Sequence, residues 1–550
     1  MAEENTNTTS EYEYIISKSI LTRSGTPAVY QLTPETKNIG TLRRITLGNK
    51  NLNKTNRTVL LVGETGAGKT TMINALVNYA IGVKWEDNIW FEIVEEKTKN
   101  AQGDQDKEKG QCESQTSDVI VYEIFGFEDK TLPYSLTIID TPGYGDTRGT
   151  EQDDEISRRL FDLFRSEDGV HEINVVGLVL KASENRLSDR LRYIFDSVVS
   201  LFGKNLEENL ITLITHSDGI TPENALKALE DANLKCAKDE DNEPVYFMFN
   251  NHQIKQKTRK NKTALKCAWD LTNSQMEEFT EFLKNSKPRS LITTVEVLNS
   301  RIRLTACIQN LQERVELIEL KQKEIQQTQD NLKKHEEEMK SNQNYTVLVD
   351  EPYKEKEKFG GGMWALMFYK GAVCCNKCEE NCHYPGCTMA WYPRDCEVMS
   401  RGHCTACTNK CPVSDHVKED MIYVTKTRKV KRTLQDVKAK YKRSKADCEK
   451  TSGLLEDMEK TKEELQKEKD QWLDEAFQHV VKLEQIALNV DSLSIHVHLD
   501  FLIEKMKERG DTEKVQKLEE MKSKADEGTK SGLRYRFGKM VAACKSRFGY

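Results

Sequence analysis

Residues 63–70 read Gly-Glu-Thr-Gly-Ala-Gly-Lys-Thr, which fits the phosphate-binding loop pattern G-x-x-x-x-G-K-[S/T]. Its glycines let the backbone wrap around a phosphate group, and amide groups at the start of the following helix point at the anion. Lys69 is expected to reach the β- and γ-phosphates of a nucleotide, and Thr70 to hold Mg²⁺. The candidate contacts are Gly63, Glu64, Thr65, Gly66, Ala67, Gly68, Lys69, Thr70 and Thr71.

The motif Asp140-Thr141-Pro142-Gly143 directly follows a short apolar run at 136–139. A carboxylate at the end of a buried strand can hold the water shell of Mg²⁺, and the amide of Gly143 can sense a γ-phosphate. We therefore predict that Asp140 is a magnesium residue and that Gly143 acts in catalysis with Lys69.

The polar stretch 95–115 lies between these motifs and is predicted to be a mobile loop. Such a loop can order around γ-phosphate and Mg²⁺ and relax after hydrolysis. Thr116 is the candidate for the magnesium contact and for the third catalytic position. Thr98 and Ser117 are alternatives, and a loop threonine without such a role is another.

The sequence Thr215-His216-Ser217-Asp218 closes the apolar run 210–214. A carboxylate there can accept hydrogen bonds from N1–H and the 2-amino group of guanine, which adenine does not offer. Asp218 therefore favours GTP over ATP and argues against an ATPase or nucleotide kinase, although capping of the next helix is an alternative role. Asn250 follows the apolar run 245–249 and is a candidate for a second base contact, together with Thr215 and His216.

Apolar runs that indicate buried strands alternate with helical patterns between residues 57 and 287. They lie at 59–62, 119–124, 136–139, 175–180, 210–214 and 245–249. This alternation predicts an α/β domain with a mostly parallel sheet and helices on both faces.

With these motifs in place, residues 55–255 resemble GTPases of the septin-like and immune-associated (avirulence-induced-like) branch. The resemblance is carried by GETGAGKTT at 63–71, DTPGYGDTRG at 140–149, THSD at 215–218 and FNN at 249–251. It implies a GTP/GDP switch with Mg²⁺ that dimerises through its nucleotide face. His216 stands where the wider class often has lysine and is similar to chloroplast import receptor GTPases, which implies a base or dimer contact. A surface histidine without either role is the alternative.

Tyr144 follows Gly143 at the position where Ras-like enzymes carry a glutamine that orients water. Tyrosine cannot perform that task, so we expect hydrolysis to be slow or to depend on a dimer partner. Arg148 is a candidate for action across the dimer, and a solvated charge is the alternative. The alternative function is a non-hydrolysing, nucleotide-bound scaffold that works through the C-terminal arm.

Beyond residue 287 apolar residues recur with a spacing of seven, which predicts a coiled coil. The first run is Leu304, Leu311, Ile318, Ile325, Leu332 and Met339, and the second is Leu434, Val437, Tyr441, Cys448, Leu455, Met458, Leu465 and Trp472. We predict an antiparallel helical arm that binds a protein partner, with strands at 345–349 and 421–425 at its neck and a knob at its tip. Packing of both helices on the nucleotide domain is the alternative.

Nine of the fifteen cysteines fall between Cys374 and Cys411, and they include a repeat of C-x-x-C-x-x-x-C. Two such motifs 29 residues apart suit structural zinc, since a small knob has little core of its own. The predicted zinc ligands are Cys375, Cys378, Cys382, Cys404, Cys407 and Cys411. Two ions are plausible, the pairing stays open, and the additional candidates are Cys374, His383, Cys387, Cys396, His403 and His416. Disulfides are the alternative.

The chain has 550 residues with 31% charged residues, a net charge of −7 and a mean hydropathy of −0.68. We expect segments at 1–54 (N-terminal extension), 55–290 (nucleotide domain), 300–342 and 430–475 (arm), 343–428 (neck and knob) and 476–550 (helical, with a basic tail). The mild charge gives no sign of a nucleic-acid partner, and no apolar run reaches the ~18 residues of a membrane span, so a cytoplasmic protein is expected. Basic and aromatic residues interleave from Lys530 onward, a pattern compatible with weak contact with an anionic membrane surface, although a solvated or disordered tail is the preferred interpretation.

Overall fold

A computed structural model of the chain describes residues 7–39, 42–94, 118–128, 130–144, 151–184, 187–342, 344–359, 362–364, 368–387, 392–441, 451–488 and 493–524. The chain divides into two compact units. The first comprises Met1–Leu298, Ile486–Leu493 and Ser523–Tyr550, and the second comprises Asn299–Gln485 and Ser494–Lys522.

The first unit contains thirteen strands and six helices among its described residues. The strands are β1 Ser19–Arg23, β2 Ala28–Leu32, β3 Glu35–Ile39, β4 Leu42–Leu47, β5 Asn56–Gly63, β6 Ile89–Glu92, β7 Ile120–Ile124, β8 Ser135–Asp140, β9 Glu172–Ile173, β10 Val175–Lys181, β11 Leu210–Thr215, β12 Tyr246–Met248 and β13 Arg289–Ser290. The helices are α1 Asn7–Ser17, α2 Lys69–Ile81, α3 Glu151–Arg165, α4 Asp189–Val199, α5 Glu223–Asp231 and α6 Lys262–Asn285.

The main sheet of this unit has the strand order β12-β11-β10-β5-β8-β7-β4-β3. β5 lies in its middle and pairs in parallel with both β8 and β10, and residues 59–62 of β5 are fully buried. β7 runs antiparallel to β8, because only a short connection joins the two strands and it can form no more than a hairpin. The predicted α/β fold with a mostly parallel sheet is confirmed, and each apolar run forms a strand.

The segment predicted as an N-terminal extension supplies strands to this unit. β4 pairs in parallel with β7, and β3 pairs with β4 at the edge of the main sheet. β1 and β2 join β6 in a separate three-stranded sheet. Buried Tyr12 places its hydroxyl 2.9 Å from the carbonyl oxygen of Gly82, just beyond the end of α2. The N-terminal residues are therefore part of the packing around α2.

The second unit combines long helices with small antiparallel sheets. Its described elements, four of which (α7, α10, α11 and α12) cross the division between the units, are α7 Ile292–Lys334, α8 Glu336–Ser341, β14 Val347–Lys358, β15 Gly362–Trp364, β16 Phe368–Cys375, β17 Glu380–Cys387, β18 Met399–Ser400, β19 His403–Cys404, β20 His416–Glu419, β21 Met421–Arg432, α9 Leu434–Tyr441, α10 Thr451–Ile486, α11 Leu493–Arg509 and α12 Thr512–Lys524. No helix among the described residues is long and apolar enough to cross a bilayer.

Helices α7 and α10 pack against one another in opposite directions. Gln329 donates to Glu459 over 3.3 Å, and Lys469 forms an ion pair with Glu319 at 3.2 Å. Ten positions back along α7 thus correspond to ten positions forward along α10, which is an antiparallel register. The seven-residue spacing on α7 marks its buried face, which contains Leu304, Leu311, Ile318, Ile325 and Leu332. The side chains of Met339 and Cys448 lie outside the described residues.

Strands β14 and β21 form a ribbon of twelve residue pairs, from Val347 opposite Arg432 to Lys358 opposite Met421. The ribbon is longer than the predicted neck, and 421–425 faces 354–358 instead of 345–349. It lies along α7, where the Asp350 amide donates to the Gln327 side chain over 3.0 Å. The cysteine-rich knob consequently packs beside α7, so the prediction that it sits at the tip of the arm is wrong.

A buried ion pair joins the knob to α7. Arg314 donates to both carboxylate oxygens of Glu380, over 3.0 and 2.7 Å, and to the carbonyl oxygen of Ala406 over 2.7 Å. Glu380 also accepts from the amide of Thr408 over 2.8 Å, and the guanidinium lies 4.0 Å from the ring centre of Trp472 on α10. This pair therefore joins α7 and α10 to strand β17 and to the knob loop at 406–408.

Replacement of Arg314 by alanine is expected to destabilise the second unit by about 3–5 kcal/mol, because it leaves the Glu380 carboxylate buried without its partner. The measurement is the urea midpoint of the transition that reports this unit. Arg394→Ala is the control, since its pair with Asp395 at 3.6 Å is exposed and such pairs contribute about 0–1 kcal/mol. Equal shifts in the two variants would contradict the role of the buried pair.

Candidate functional site

The phosphate-binding loop connects the end of β5 with the start of α2. Gly63, Gly66 and Gly68 have φ values of 150°, 78° and 97°, which side-chain-bearing residues rarely adopt. Gly68 is the N-cap of α2, so the first amides of the helix face outward without helical acceptors. The predicted strand–loop–helix arrangement is present and forms an anion-binding helix terminus.

Lys69 lies inside this loop. Its side chain is buried, and its ammonium group donates to the carbonyl oxygens of Gly63 and Glu64 over 3.0 and 3.1 Å. Burial lowers the pKa of Lys69 to about 8, and the nearby carboxylates of Asp140 and Glu64 oppose this shift. The predicted phosphate-binding lysine and the predicted magnesium carboxylate are therefore electrostatic neighbours.

Asp140 is the last residue of β8 and is fully buried. The next residue, Thr141, donates its hydroxyl to the carbonyl oxygen of Leu61 over 2.9 Å and so fixes the exit of the strand against β5. A Cβ atom on Gly143 would lie 2.4 Å from the Cα of Thr65, so only glycine fits this approach. The loop after β8 therefore lies directly on the phosphate-binding loop.

Two backbone hydrogen bonds join these loops. The amide of Tyr144 donates to the carbonyl oxygen of Gly63 over 3.0 Å, and the amide of Thr65 donates to that of Tyr144 over 3.3 Å. The Tyr144 side chain is fully buried. Tyr144 therefore contacts the phosphate-binding loop through its backbone amide and carbonyl groups, while its aromatic ring packs in the interior.

The third loop follows β11 and is anchored by Thr215. The Thr215 hydroxyl donates to the carbonyl oxygen of Ala67 over 2.6 Å. The same hydroxyl lies 3.3 Å from the carbonyl oxygen of Leu180. Asp218 is exposed, and its Oδ1 accepts the amide of Ile220 over 3.0 Å. Helix α5 begins later, with Pro222 as its N-cap, so Asp218 does not cap that helix.

Asn250 lies beside this loop, just after β12. The amide of Ser217 donates to the carbonyl oxygen of Phe249 over 3.1 Å, which holds the two strand ends together. The Asn250 amide donates to the Thr272 hydroxyl over 3.0 Å, while its Oδ1 is buried and has no hydrogen-bond partner in the described part of the chain. Asn250 thus retains a spare acceptor next to the Asp218 loop.

Cationic residues that the sequence interpretation missed surround this end of the sheet. A Cβ on Gly66 would lie 3.9 Å from the ammonium of Lys181, the last residue of β10. Partial burial lowers the pKa of His216, and the charges of Lys181 and Lys255 lower it further. His216 itself has a positive φ of 56°. Lys181 directly follows the apolar run 175–180. Its position at a strand end is the same sequence signal that identified Asp140, and it could have identified Lys181 as well.

The predicted catalytic residue Thr116 and its alternatives Thr98 and Ser117 lie outside the described residues, as does Arg148. Thr70 and Thr71 lie in the first turn of α2. The structure therefore brings together Lys69, Thr70, Asp140 and Gly143, with Thr215, His216, Asp218 and Asn250 on the adjoining strand ends.

The six predicted zinc ligands also converge, in the second unit. Their potential ligand atoms form two groups in which all atoms lie within 4.8 Å of one another: Cys375, Cys378, Cys407 and Cys411, and Cys382, Cys404, Cys407 and His416. His383 and Cys396 lie with Glu397 in a third group. Cys374 and His403 belong to none of these groups, and the side chain of Cys387 is outside the described residues.

Substitution of Thr215 by valine is expected to cost about 1–3 kcal/mol of stability and to weaken nucleotide binding, because the buried carbonyl of Ala67 loses its donor. Thr212→Val is the matched control, since Thr212 is fully buried on the same strand and its hydroxyl has no hydrogen-bond partner among the described residues. Thermal unfolding and calorimetric titration with nucleotide measure both effects. Unchanged affinity in Thr215→Val would show that this anchor does not position the loop.

Solved structures with similar chains include Toc33 from Arabidopsis thaliana and the LeoA bacterial dynamin GTPase from ETEC. A dimerisation-deficient mutant of Toc33 matches at 17% identity, over 43% of this chain and 88% of that one, with a TM-score of 0.29. LeoA matches at 17% identity, over 52% and 47%, with a TM-score of 0.24. Such low scores carry no argument about function, and no curated protein sequence matches the chain.

The family comparison gives a more specific result. Residues 53–158 match the family model described as Septin. The matched segment contains β5, the phosphate-binding loop, α2, β7, β8 and the motif that begins at Asp140. The resemblance inferred from the motifs is therefore confirmed for this part of the chain, which carries a septin-type P-loop GTPase domain.

Proposed function

We propose that the chain is a guanine-nucleotide-dependent switch or assembly protein whose first unit binds GTP and GDP. The observation that carries the proposal is the buried ammonium of Lys69, which lies within the loop between β5 and α2 and beside Asp140. A glycine loop, a buried lysine and outward-facing helix amides are the combination that binds phosphates in P-loop enzymes. The septin-type domain supports the same assignment.

Thr70 and Asp140 are the residues that would hold Mg²⁺. A hydroxyl in the first turn of α2 and a carboxylate at the end of β8 are both oxygen donors, the type that Mg²⁺ prefers. Bound there, Mg²⁺ would neutralise charge on the phosphate oxygens. Lys69 contributes a second positive charge to the same phosphates, and Gly143 an amide close to Thr65.

Guanine recognition is assigned to Asp218 and Asn250. Asp218 is exposed beyond the end of β11, and its second carboxylate oxygen can receive a base N–H while Oδ1 holds the turn at Ile220. The spare Oδ1 acceptor of Asn250 suits the 2-amino group of guanine, which adenine lacks. Burial and the charges of Lys181 and Lys255 lower the pKa of His216, which favours its neutral form, and a neutral ring fits a stacking or dimer contact better than an ionic one.

Hydrolysis is proposed to be slow or to depend on a second copy of the chain. The buried ring of Tyr144 offers no group to orient an attacking water, although water orientation is part of the template mechanism. A homodimer through the nucleotide face would supply the missing group from the partner. The helices of the second unit would then transmit the nucleotide state to a protein partner.

The proposal predicts GTP-selective turnover that rises per molecule with protein concentration. Binding and hydrolysis of GTP and ATP are measured with the purified full chain over a wide concentration range. Lys69→Ala should abolish binding of either nucleotide, since it removes the only buried cation described in the loop. Tight GTP binding without turnover would favour the non-hydrolysing scaffold, and equal affinity for ATP would exclude the guanine assignment.

Asp218→Asn is expected to weaken GTP binding at least tenfold and to improve binding of xanthosine triphosphate. Xanthine carries a carbonyl where guanine carries the 2-amino group, so an asparagine amide can donate to it. A loss of one charge-assisted hydrogen bond corresponds to about 1.5–3 kcal/mol. Asp241→Asn is the control, because that exposed aspartate lies in a turn between α5 and β12. Loss of GTP affinity without gain of xanthosine triphosphate would argue against direct base contact.

A further inference from the structure

We infer that the knob binds two zinc ions that share the thiolate of Cys407. The inference is independent of the nucleotide site, because all the residues involved lie in the second unit. It assigns Cys375, Cys378 and Cys411 to one ion and the remaining ligands to the other, with Cys407 common to both.

The distances within the two groups suit tetrahedral zinc. Sulfur atoms about 2.3 Å from a zinc ion lie about 3.8 Å apart at the corners of a tetrahedron. The Sγ atoms of Cys378 and Cys411 are 3.6 Å apart, although the two residues are 33 positions apart in sequence. Each group has four ligand atoms within 4.8 Å, so each matches a closed four-coordinate site.

The sharing of Cys407 follows from the count of donors. Two separate tetrahedral sites need eight ligands, whereas the two groups contain seven different residues, six cysteines and one histidine. A thiolate sulfur has enough lone pairs to bind two metal ions, while an imidazole nitrogen has one. Cys407 is the residue present in both groups, and it is therefore the bridging ligand.

The backbone around the cysteines supports ionised sulfur. The amide of Cys378 donates to the sulfur of Cys375 over 3.4 Å, and the amide of Cys411 donates to that of Cys407 over 3.1 Å. Cys404 accepts two amides, each over 3.3 Å. Amides directed at sulfur stabilise negative charge, which a zinc-bound thiolate carries.

His416 provides the second, independent indication of a metal. Its Nδ1 lies 2.9 Å from the carbonyl oxygen of Pro412, so this nitrogen carries the proton and donates. The residue is 5% exposed, and its buried Nε2 has no hydrogen-bond partner among the described residues. A carbonyl on one ring nitrogen commonly fixes the other as a metal ligand.

Cys374 lies next to the proposed ligand Cys375 in β16, and its contacts are those of a buried cysteine that binds no metal. Its sulfur lies 3.4 Å from Oδ1 of Asn381 and 3.5 Å from the carbonyl oxygen of Met421, as expected of a thiol donor. The group of His383, Cys396 and Glu397 is also internally hydrogen-bonded, with His383 Nδ1 3.1 Å from the Cys396 sulfur. We assign no ion to either.

The test uses the full chain purified under reducing conditions. Its zinc content is expected to be two ions per chain, and a content of one or three would overturn the inference. After exchange with ¹¹³Cd²⁺, the cadmium NMR spectrum should show two resonances that split each other, because a bridging sulfur transmits coupling between the metals. Two resonances without mutual splitting would exclude the shared thiolate.

Single substitutions separate the bridge from the other ligands. Cys407→Ala should lose both ions, Cys375→Ala should lose one, and Cys374→Ala should retain both as the matched buried control. Equal metal loss in Cys407→Ala and Cys375→Ala would overturn the bridge. Should a variant fail to fold, the cadmium spectrum of the unmodified chain decides the question.

Discussion

The parallel pairing of β5 with both β8 and β10 is the constraint on which the nucleotide site depends. It brings the carboxyl ends of neighbouring strands to one edge of the sheet, where ligands bind in open α/β folds. The carbonyl oxygens of Gly63, Glu64 and Ala67 in the phosphate-binding loop then accept hydrogen bonds from Lys69 and from the two adjoining loops. With its carbonyls engaged, the loop is left with its amides directed outward, and that polarity selects an anion.

The sequence was sufficient to predict six of the eight strands of the main sheet, α2 and the convergence of Lys69, Asp140 and Asp218, because fully apolar runs and strand-end motifs depend on local chemistry. It was not sufficient for β3 and β4, in which polar residues interrupt the apolar ones and leave no continuous apolar run. Lys181 was also missed. Its position beside the phosphate-binding loop arises from contacts between segments distant in the chain, and a single sequence does not show such contacts.

In the second unit the helical spacing was informative and the placement of the knob was not. Heptad positions identify the buried face of α7. No local sequence pattern predicts that the ribbon continues for twelve residue pairs or that it lies along that helix. The buried Arg314–Glu380 pair spans 66 positions and resembles any two charges in a polar sequence. The cysteine repeat indicated six side chains that do lie close together in the structure. The shared position of Cys407 and the addition of His416 depend on the tertiary fold and were left open.

The β14–β21 ribbon has a consequence for behaviour in solution. Twelve paired residues extend about 40 Å, and in the described structure the two strands pair only with each other, so each has one edge without a neighbouring strand. Asp350 and Tyr423 on these edges bond to the side chains of Gln327 and Asn381. Residues 354–358 alternate lysine and glutamate, and Lys426 across the ribbon contacts Glu355 and Glu357. A strand arriving from another molecule would have to bury these charges. The alternation thus disfavours fibril formation along the ribbon.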